Sequence, residues 1–117
     1  MASAVRKLSM LSPKMHPDVL PLEAEAAKVA ELLPLIGNEK RLLILCRLVE
    51  QGEANVGSLL SSIGLSQSAL SQHLARMREE GLLTTRRDGQ TIWYRIIDPR
   101  TEALLETLHS LYCRRSH

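Results

Sequence analysis

Phenylalanine is absent from the 117 residues, and the aromatic set is one Trp and two Tyr. A core without many rings must be assembled from aliphatic side chains, and 22 leucines are there to do it. A leucine-packed, aromatic-poor core points to helices stacked on helices. Cysteine is scarce too: two residues are too few for a disulfide-stapled secreted scaffold or a four-cysteine zinc site. No apolar run approaches the ~20 residues of a membrane span. The N-terminus lacks the apolar stretch of a signal peptide. A dominant charge is also missing, since 15 Lys+Arg against 13 Asp+Glu leave only +2. That bias does not by itself establish a nucleic-acid partner. With 44% hydrophobic and 24% charged residues the chain is neither disordered nor fibrous, and its length suits one domain. These exclusions leave a soluble, cytoplasmic, mainly helical domain with no membrane association.

Residues 1–16 carry Arg6, Lys7 and Lys14 without periodic apolar spacing, and Pro13 interrupts any helix. They read as a disordered basic arm, with the folded domain over 17–117. From Leu22 the period is helical, through Ala26, Val29, Leu32 and Leu33, until Pro34 and Gly37 mark a stop or kink. Asn38 is a good N-cap for a helix to about Glu50, with Leu42, Leu43, Leu45, Cys46 and Val49 inward and Gly52 at its end. A short amphipathic helix follows (Val56, Leu59, Leu60, Ile63). Ser66 then caps another, whose inward residues are Ala69, Leu70, His73, Leu74 and Met77. Two short helices separated by Gly64-Leu65-Ser66 have helix-turn-helix spacing.

After Gly81 the period drops to two. Leu82–Arg87 and Thr91–Ile97 read as strands around Asp88-Gly89, a hairpin pair suited to positive φ at both turn positions. Pro99 opens a last helix over about 100–114, with Leu104, Leu105, Leu108, Leu111 and Tyr112 inward. The order α-α-α-α-β-β-α is that of a winged helix-turn-helix.

In the second helix of the pair, Ser66, Gln67, Ser68, Ser71 and Gln72 gather on the outer side near the N-terminus, with Arg76 further along. Hydroxyls and amides suit base edges, and this end of a recognition helix enters the major groove. Arg86, Arg87 and Gln90 at the hairpin tip suit a wing lying on the DNA backbone. Residues 66–97 hold Arg76, Arg78, Arg86, Arg87 and Arg95 against Glu79, Glu80 and Asp88. Residues 18–31 hold Asp18, Glu23, Glu25 and Glu31 against Lys28 alone. A solvated polar helix face is the plain alternative. The turn, the polar helix and the basic wing in sequence favour double-stranded DNA.

Three segments carry a family resemblance: Leu65-Ser66-Gln67-Ser68-Ala69-Leu70-Ser71-Gln72-His73-Leu74, then Arg78-Glu79-Glu80-Gly81-Leu82-Leu83, then Arg86-Arg87-Asp88-Gly89-Gln90 with Tyr94. The chain resembles the ArsR/SmtB family of bacterial repressors over about residues 22–114. The resemblance implies a homodimer joined by the first and last helices. Such a dimer would read a pseudo-palindromic operator with half-sites ~34 Å apart.

Metal sensors of that family carry two cysteines where this chain has Asn55 and Gly57, which removes the soft-metal site. The second family site, with Asp-x-His and His-x-x-Glu, meets Asp98-Pro99-Arg100 and Leu111-Tyr112-Cys113-Arg114, so it too is missing. His109, Cys113 and His117 remain as one local metal pattern spaced by four, but His117 is the terminal residue. No metal and no cofactor is expected, and a metal-sensing repressor is the weaker alternative.

By their surroundings alone, both cysteines suit a structural role. Cys46 lies on an apolar stripe, and Cys113 lies at a stripe edge beside Arg114 and Arg115. However, Arg41-Leu42-Leu43-Ile44-Leu45-Cys46 and Leu108-His109-Ser110-Leu111-Tyr112-Cys113 resemble the cysteine segments of the HlyU-, BigR- and SqrR-type members. That resemblance implies a sensor of reactive sulfur species: the reduced form binds the operator, and a persulfide or polysulfide bridge between Cys46 and Cys113 lowers DNA affinity. A peroxide-formed disulfide and an anti-repressor role at virulence genes remain open on the same fold. Two other classes are weaker. An enzyme using Cys113 with His109 lacks a third orienting group. A protein-interaction winged helix would be expected to lose the polar helix face or the basic wing.

Overall fold

A computed structural model describes residues 19–113, with side chains from Leu22 to Tyr112. The expected arm, the side chain of Cys113 and His117 lie outside the described residues. The chain divides into two compact units, Met1–Leu35 and Ile36–His117. The described part of the first is the helix α1 (Val19–Ile36). It begins before the expected Leu22 and runs through Pro34, so the expected break falls at Gly37. Leu22, Val29 and Leu33 on α1 are exposed, and Lys28 pairs with Glu25 at 3.6 Å.

In the second unit, α2 (Glu39–Gln51) starts where expected, because the Asn38 side chain accepts from the amides of Lys40 and Arg41, both at 3.0 Å. It stops where Gly52 turns to φ +82° and its N–H donates to the Leu48 carbonyl at 2.8 Å. Its buried residues are Ile44, Leu45, Cys46 and Leu48, whereas Leu43 is exposed. The run Leu-Leu-Ile-Leu-Cys is apolar on every side, so periodicity alone could not choose its inward face; packing did.

A strand that periodicity did not predict follows, β1 (Ala54–Asn55), too short to show a period. Asn55 then caps α3 (Val56–Ser62), its side-chain oxygen accepting from the Ser58 amide at 2.9 Å. The residue standing in place of a metal-binding cysteine therefore has a capping role. Ser66 caps α4 (Gln67–Glu79), its hydroxyl accepting from the Ala69 amide at 3.1 Å.

The hairpin joins β2 (Leu83–Asp88) to β3 (Thr91–Ile96), with pairing from Leu83 opposite Ile96 to Asp88 opposite Thr91. The turn is thus Gly89-Gln90, one residue later than expected. Within this turn only Gly89 has positive φ, +65°, and among the described residues no non-glycine does. A glycine in the first of two turn positions is the signature of a type II′ hairpin, which needs left-handed backbone only there. β1 pairs with the other edge of β3, Ala54 opposite Tyr94 and Asn55 opposite Trp93, giving an antiparallel sheet in the order β1-β3-β2.

Asp98 caps α5 (Pro99–Leu108), and a π-helical turn, His109–Cys113, continues it. Leu105 is buried as expected, but Leu111 and Tyr112 are exposed, contrary to their expected inward placement. A π turn carries more residues per turn, so the apolar stripe begun by Leu104, Leu105 and Leu108 loses its register there.

Ile44, Leu45, Leu48, Leu59, Leu70, Leu74, Met77, Leu83 and Leu105 are the largest fully buried side chains, and none is aromatic. The helix-turn-helix of α3 and α4 with the three-stranded sheet behind it makes a winged helix.

Candidate nucleic-acid interface

The recognition helix α4 is two-faced. Leu70, Leu74 and Met77 are buried, and His73 is half-buried against the body. Burial, and then the positive charge of Arg41, hold the His73 imidazole below its ordinary pKa. That inner anchoring leaves Ser66, Gln67, Ser68, Ser71, Gln72 and Arg76 all exposed, as the sequence pattern required. Ser71 and Arg78 also line an open groove of about 400 Å³, with Ala75, Glu79 and Tyr94 of β3 completing its walls.

On the wing, Arg86, Arg87 and Gln90 are all exposed. Their surroundings differ sharply. The Arg86 Nε–H donates to both Glu53 carboxylate oxygens at 3.1 Å, and Nη2 donates to Oε1 at 2.6 Å. Its guanidinium carbon also stands 5.6 Å from the Trp93 ring centroid. The hydrogen bond from Arg86 and the nearby positive charges of Arg86 and Arg95 hold the Glu53 carboxyl below its usual range. Arg87, opposite Ile92 in the register, points its charge from the other side of the strand.

The sensing candidates sit elsewhere. Cys46 is buried in α2 at 7% exposure. Cys113 closes the π turn. A polar contact joins these two elements, His109 Nε2 to Glu50 Oε2 at 2.6 Å. Arg47 Nη1 donates to the other Glu50 oxygen at 2.8 Å. Burial works against the Glu50 charge, but Arg47 and His109 outweigh it and hold the carboxyl below its ordinary pKa. Among the described residues no group of three His, Cys, Asp or Glu could hold a metal ion. His109, singled out from the sequence as a metal ligand or base, is instead partnered by a carboxylate. Glu50 and Glu53 were not legible as partners, because 59 and 33 residues separate them from His109 and Arg86. No local spacing carries such pairs. No helix among the described residues is long and apolar enough to cross a membrane.

Comparison with known proteins places this geometry. Residues 38–85, from the cap of α2 into β2, match the model of the bacterial regulatory protein arsR family. The chain is 47% identical over 93 residues to the transcriptional activator HlyU of Vibrio cholerae, spanning 80% of this chain and 85% of that one. The chain belongs to the arsR family. Among solved structures, reduced HlyU from Vibrio cholerae superposes with a TM-score of 0.73 at 47% identity, covering 80% of this chain and 98% of that one. The repressor BigR from Xylella fastidiosa gives 0.71 at 38% identity, covering 81% and 96%. The expected family and winged-helix fold are thereby borne out, together with the likeness to HlyU- and BigR-type members. This arsR-family protein is a DNA-binding transcriptional regulator and not an enzyme, so the pairing of Cys113 with His109 as nucleophile and base falls away.

Proposed function

We propose that the protein is a cytoplasmic homodimeric repressor whose operator affinity falls when reactive sulfur species bridge Cys46 and Cys113. Residues 17–117 form the working domain. Gln67, Ser68, Ser71 and Gln72 read base edges from the N-terminal half of α4, beside the Ser66 cap. Arg76, Arg87 and Gln90 meet the backbone. The exposed apolar residues Leu111 and Tyr112 past α5, and Leu22, Val29 and Leu33 on α1, suit the subunit contact.

The observation that carries the sensing role is the Glu50–His109 contact. Glu50 lies four residues after Cys46, and His109 four before Cys113. The equal spacing puts both cysteine positions about one turn along the chain from that contact. A relative solved as reduced HlyU supports a redox-active family branch. In the chemistry proposed, one cysteine thiolate attacks a polysulfide and displaces a sulfide anion. The second thiolate attacks the sulfur chain now bound to the protein and displaces another. The two thiols lose two electrons, the polysulfide takes them, and a bridge of several sulfur atoms remains. Such a bridge spans gaps wider than the Cα separation of about 7 Å that limits a direct disulfide.

Intact-protein mass spectrometry with parallel gel shifts on the protein's own upstream DNA tests this reading. Polysulfide is expected to add sulfur atoms, consume both thiols and release the DNA. Cys46→Ser and Cys113→Ser are expected to bind DNA but resist release. Release of either variant overturns the dithiol mechanism, and a loss of two hydrogens without added sulfur marks a plain disulfide.

A further inference from the structure

Arg86 stands at the wing, where a regulator of this kind brings positive charge to a phosphate, yet its donors are directed elsewhere. Nε and Nη2 face the Glu53 carboxylate in a forked arrangement, the geometry in which an Arg–carboxylate pair is most specific. The pair crosses the sheet. Arg86 lies on β2, its register partner Trp93 lies on the central strand β3, and Glu53 immediately precedes β1 on the far edge. The guanidinium therefore spans the breadth of the sheet over the indole, 5.6 Å from its centroid. The β1–β3 ladder, which also ties the hairpin on this side, is two residues long. Arg87, one residue on, shares none of these partners among the interactions described.

We propose that Glu53 is a positioning residue for the wing, acting through Arg86, and that Arg86 clamps the hairpin to the link between α2 and β1 while Arg87 makes the phosphate contact. This deepens the DNA-binding reading above and rests on it. It also changes the role that the sequence pattern suggested for Arg86. Two physical consequences separate a clamp from a contact. First, Glu53 is a negative charge on a DNA-binding edge, so simple electrostatics predicts that its removal strengthens binding. A clamp predicts the reverse, because a loosened wing must be ordered on the DNA at an entropic cost. Second, a phosphate contact contributes to the salt dependence of binding, by about 0.9 in the log–log slope for each phosphate neutralised. A clamp contributes nothing there.

Hydrogen exchange of the free protein and salt titrations on a duplex of about 30 base pairs, long enough for non-specific binding, test the proposal with Glu53→Gln, Glu53→Arg, Arg86→Glu and the double swap Glu53→Arg/Arg86→Glu. Each single variant is expected to speed amide exchange in β2 and β3 by about two- to fivefold while leaving α4 protected. Each is also expected to weaken DNA binding. The double swap restores a pair of opposite charges at the same two positions. It is expected to restore wing protection and to keep the wild-type salt slope. Unchanged wing exchange in the single variants overturns the clamp, as does tighter DNA binding by Glu53→Gln. A double swap that recovers wing protection but loses about one phosphate's worth of slope overturns the assignment of Arg86. If the exchange results hold while the wild-type chain ignores the duplex, the clamp stands and the DNA-interface reading is what fails.

Discussion

Leu74 in the recognition helix is 1% exposed, whereas Leu111, just past the last helix, is 66% exposed. Both are leucines on apolar stripes that the sequence marks as inward. In the winged-helix body the stripes of α2, α3, α4 and α5 close on one another, and every large buried side chain finds its neighbours within one chain. On α1 and past α5 the stripes stay open, with Leu22, Val29, Leu33, Leu111 and Tyr112 exposed. A single chain therefore closes its winged-helix core by itself, but leaves the apolar residues of α1 and those past α5 uncovered. The same hydrophobic spacing marks a core in one place and an open apolar surface in the other.

The comparison is broken most severely from the core side. Leu74→Ala is expected to cost about 2–5 kcal/mol and to melt the whole domain, because a cavity under α4 cannot collapse in an aliphatic core this small. Thermal unfolding followed by circular dichroism measures it. Leu111→Asp is expected to leave the melting of the isolated chain nearly unchanged, yet to abolish dimerisation in sedimentation and cost operator binding tenfold or more, about 1.4 kcal/mol. A large loss of monomer stability would show that Leu111 belongs to the core after all.

Within the exposed face, Gln72→Ala is expected to weaken operator binding by about 1–3 kcal/mol and barely touch non-specific binding. Arg87→Ala is expected to weaken both and reduce the salt slope by about one. Equal losses on all DNA would end that division of roles.

The smallest effect concerns pH. The His73 pKa is depressed in the fold, first by burial and then by Arg41, so the unfolded chain binds the proton more readily. Stability is therefore full above the ordinary histidine pKa and declines as the pH falls through and below it. His73→Gln is expected to flatten the decline in melting temperature between about pH 7 and pH 5. An unaltered slope would mean that another group titrates.

Much of the candidate site was legible in the sequence. Asn38, Ser66 and Pro99 mark helix starts through local chemistry, and all three stand at such starts in the structure. The polar side of α4 follows from the spacing of Leu70, Leu74 and Met77, because a helix with one buried stripe must expose the residues between. The inward face of α2 was not legible, since its apolar run surrounds the helix. Nor was β1, whose two residues gain their strand character only from pairing with β3. The wing turn lay one residue from its expected place, because Asp88-Gly89 and Gly89-Gln90 are both good hairpin pairs and strand register chose between them.

By itself, then, the sequence determined whatever depends on neighbours a few residues apart: caps, the order of the helices and the polar side of α4. Tertiary structure alone decided the partners of charges far apart in the chain. Arg86 and Arg87 are the same residue type in adjacent positions, yet one meets Glu53 across Trp93 and the other does not. Successive side chains on a strand leave opposite faces of the sheet. What Arg86 meets on its face is set by a segment 33 residues away.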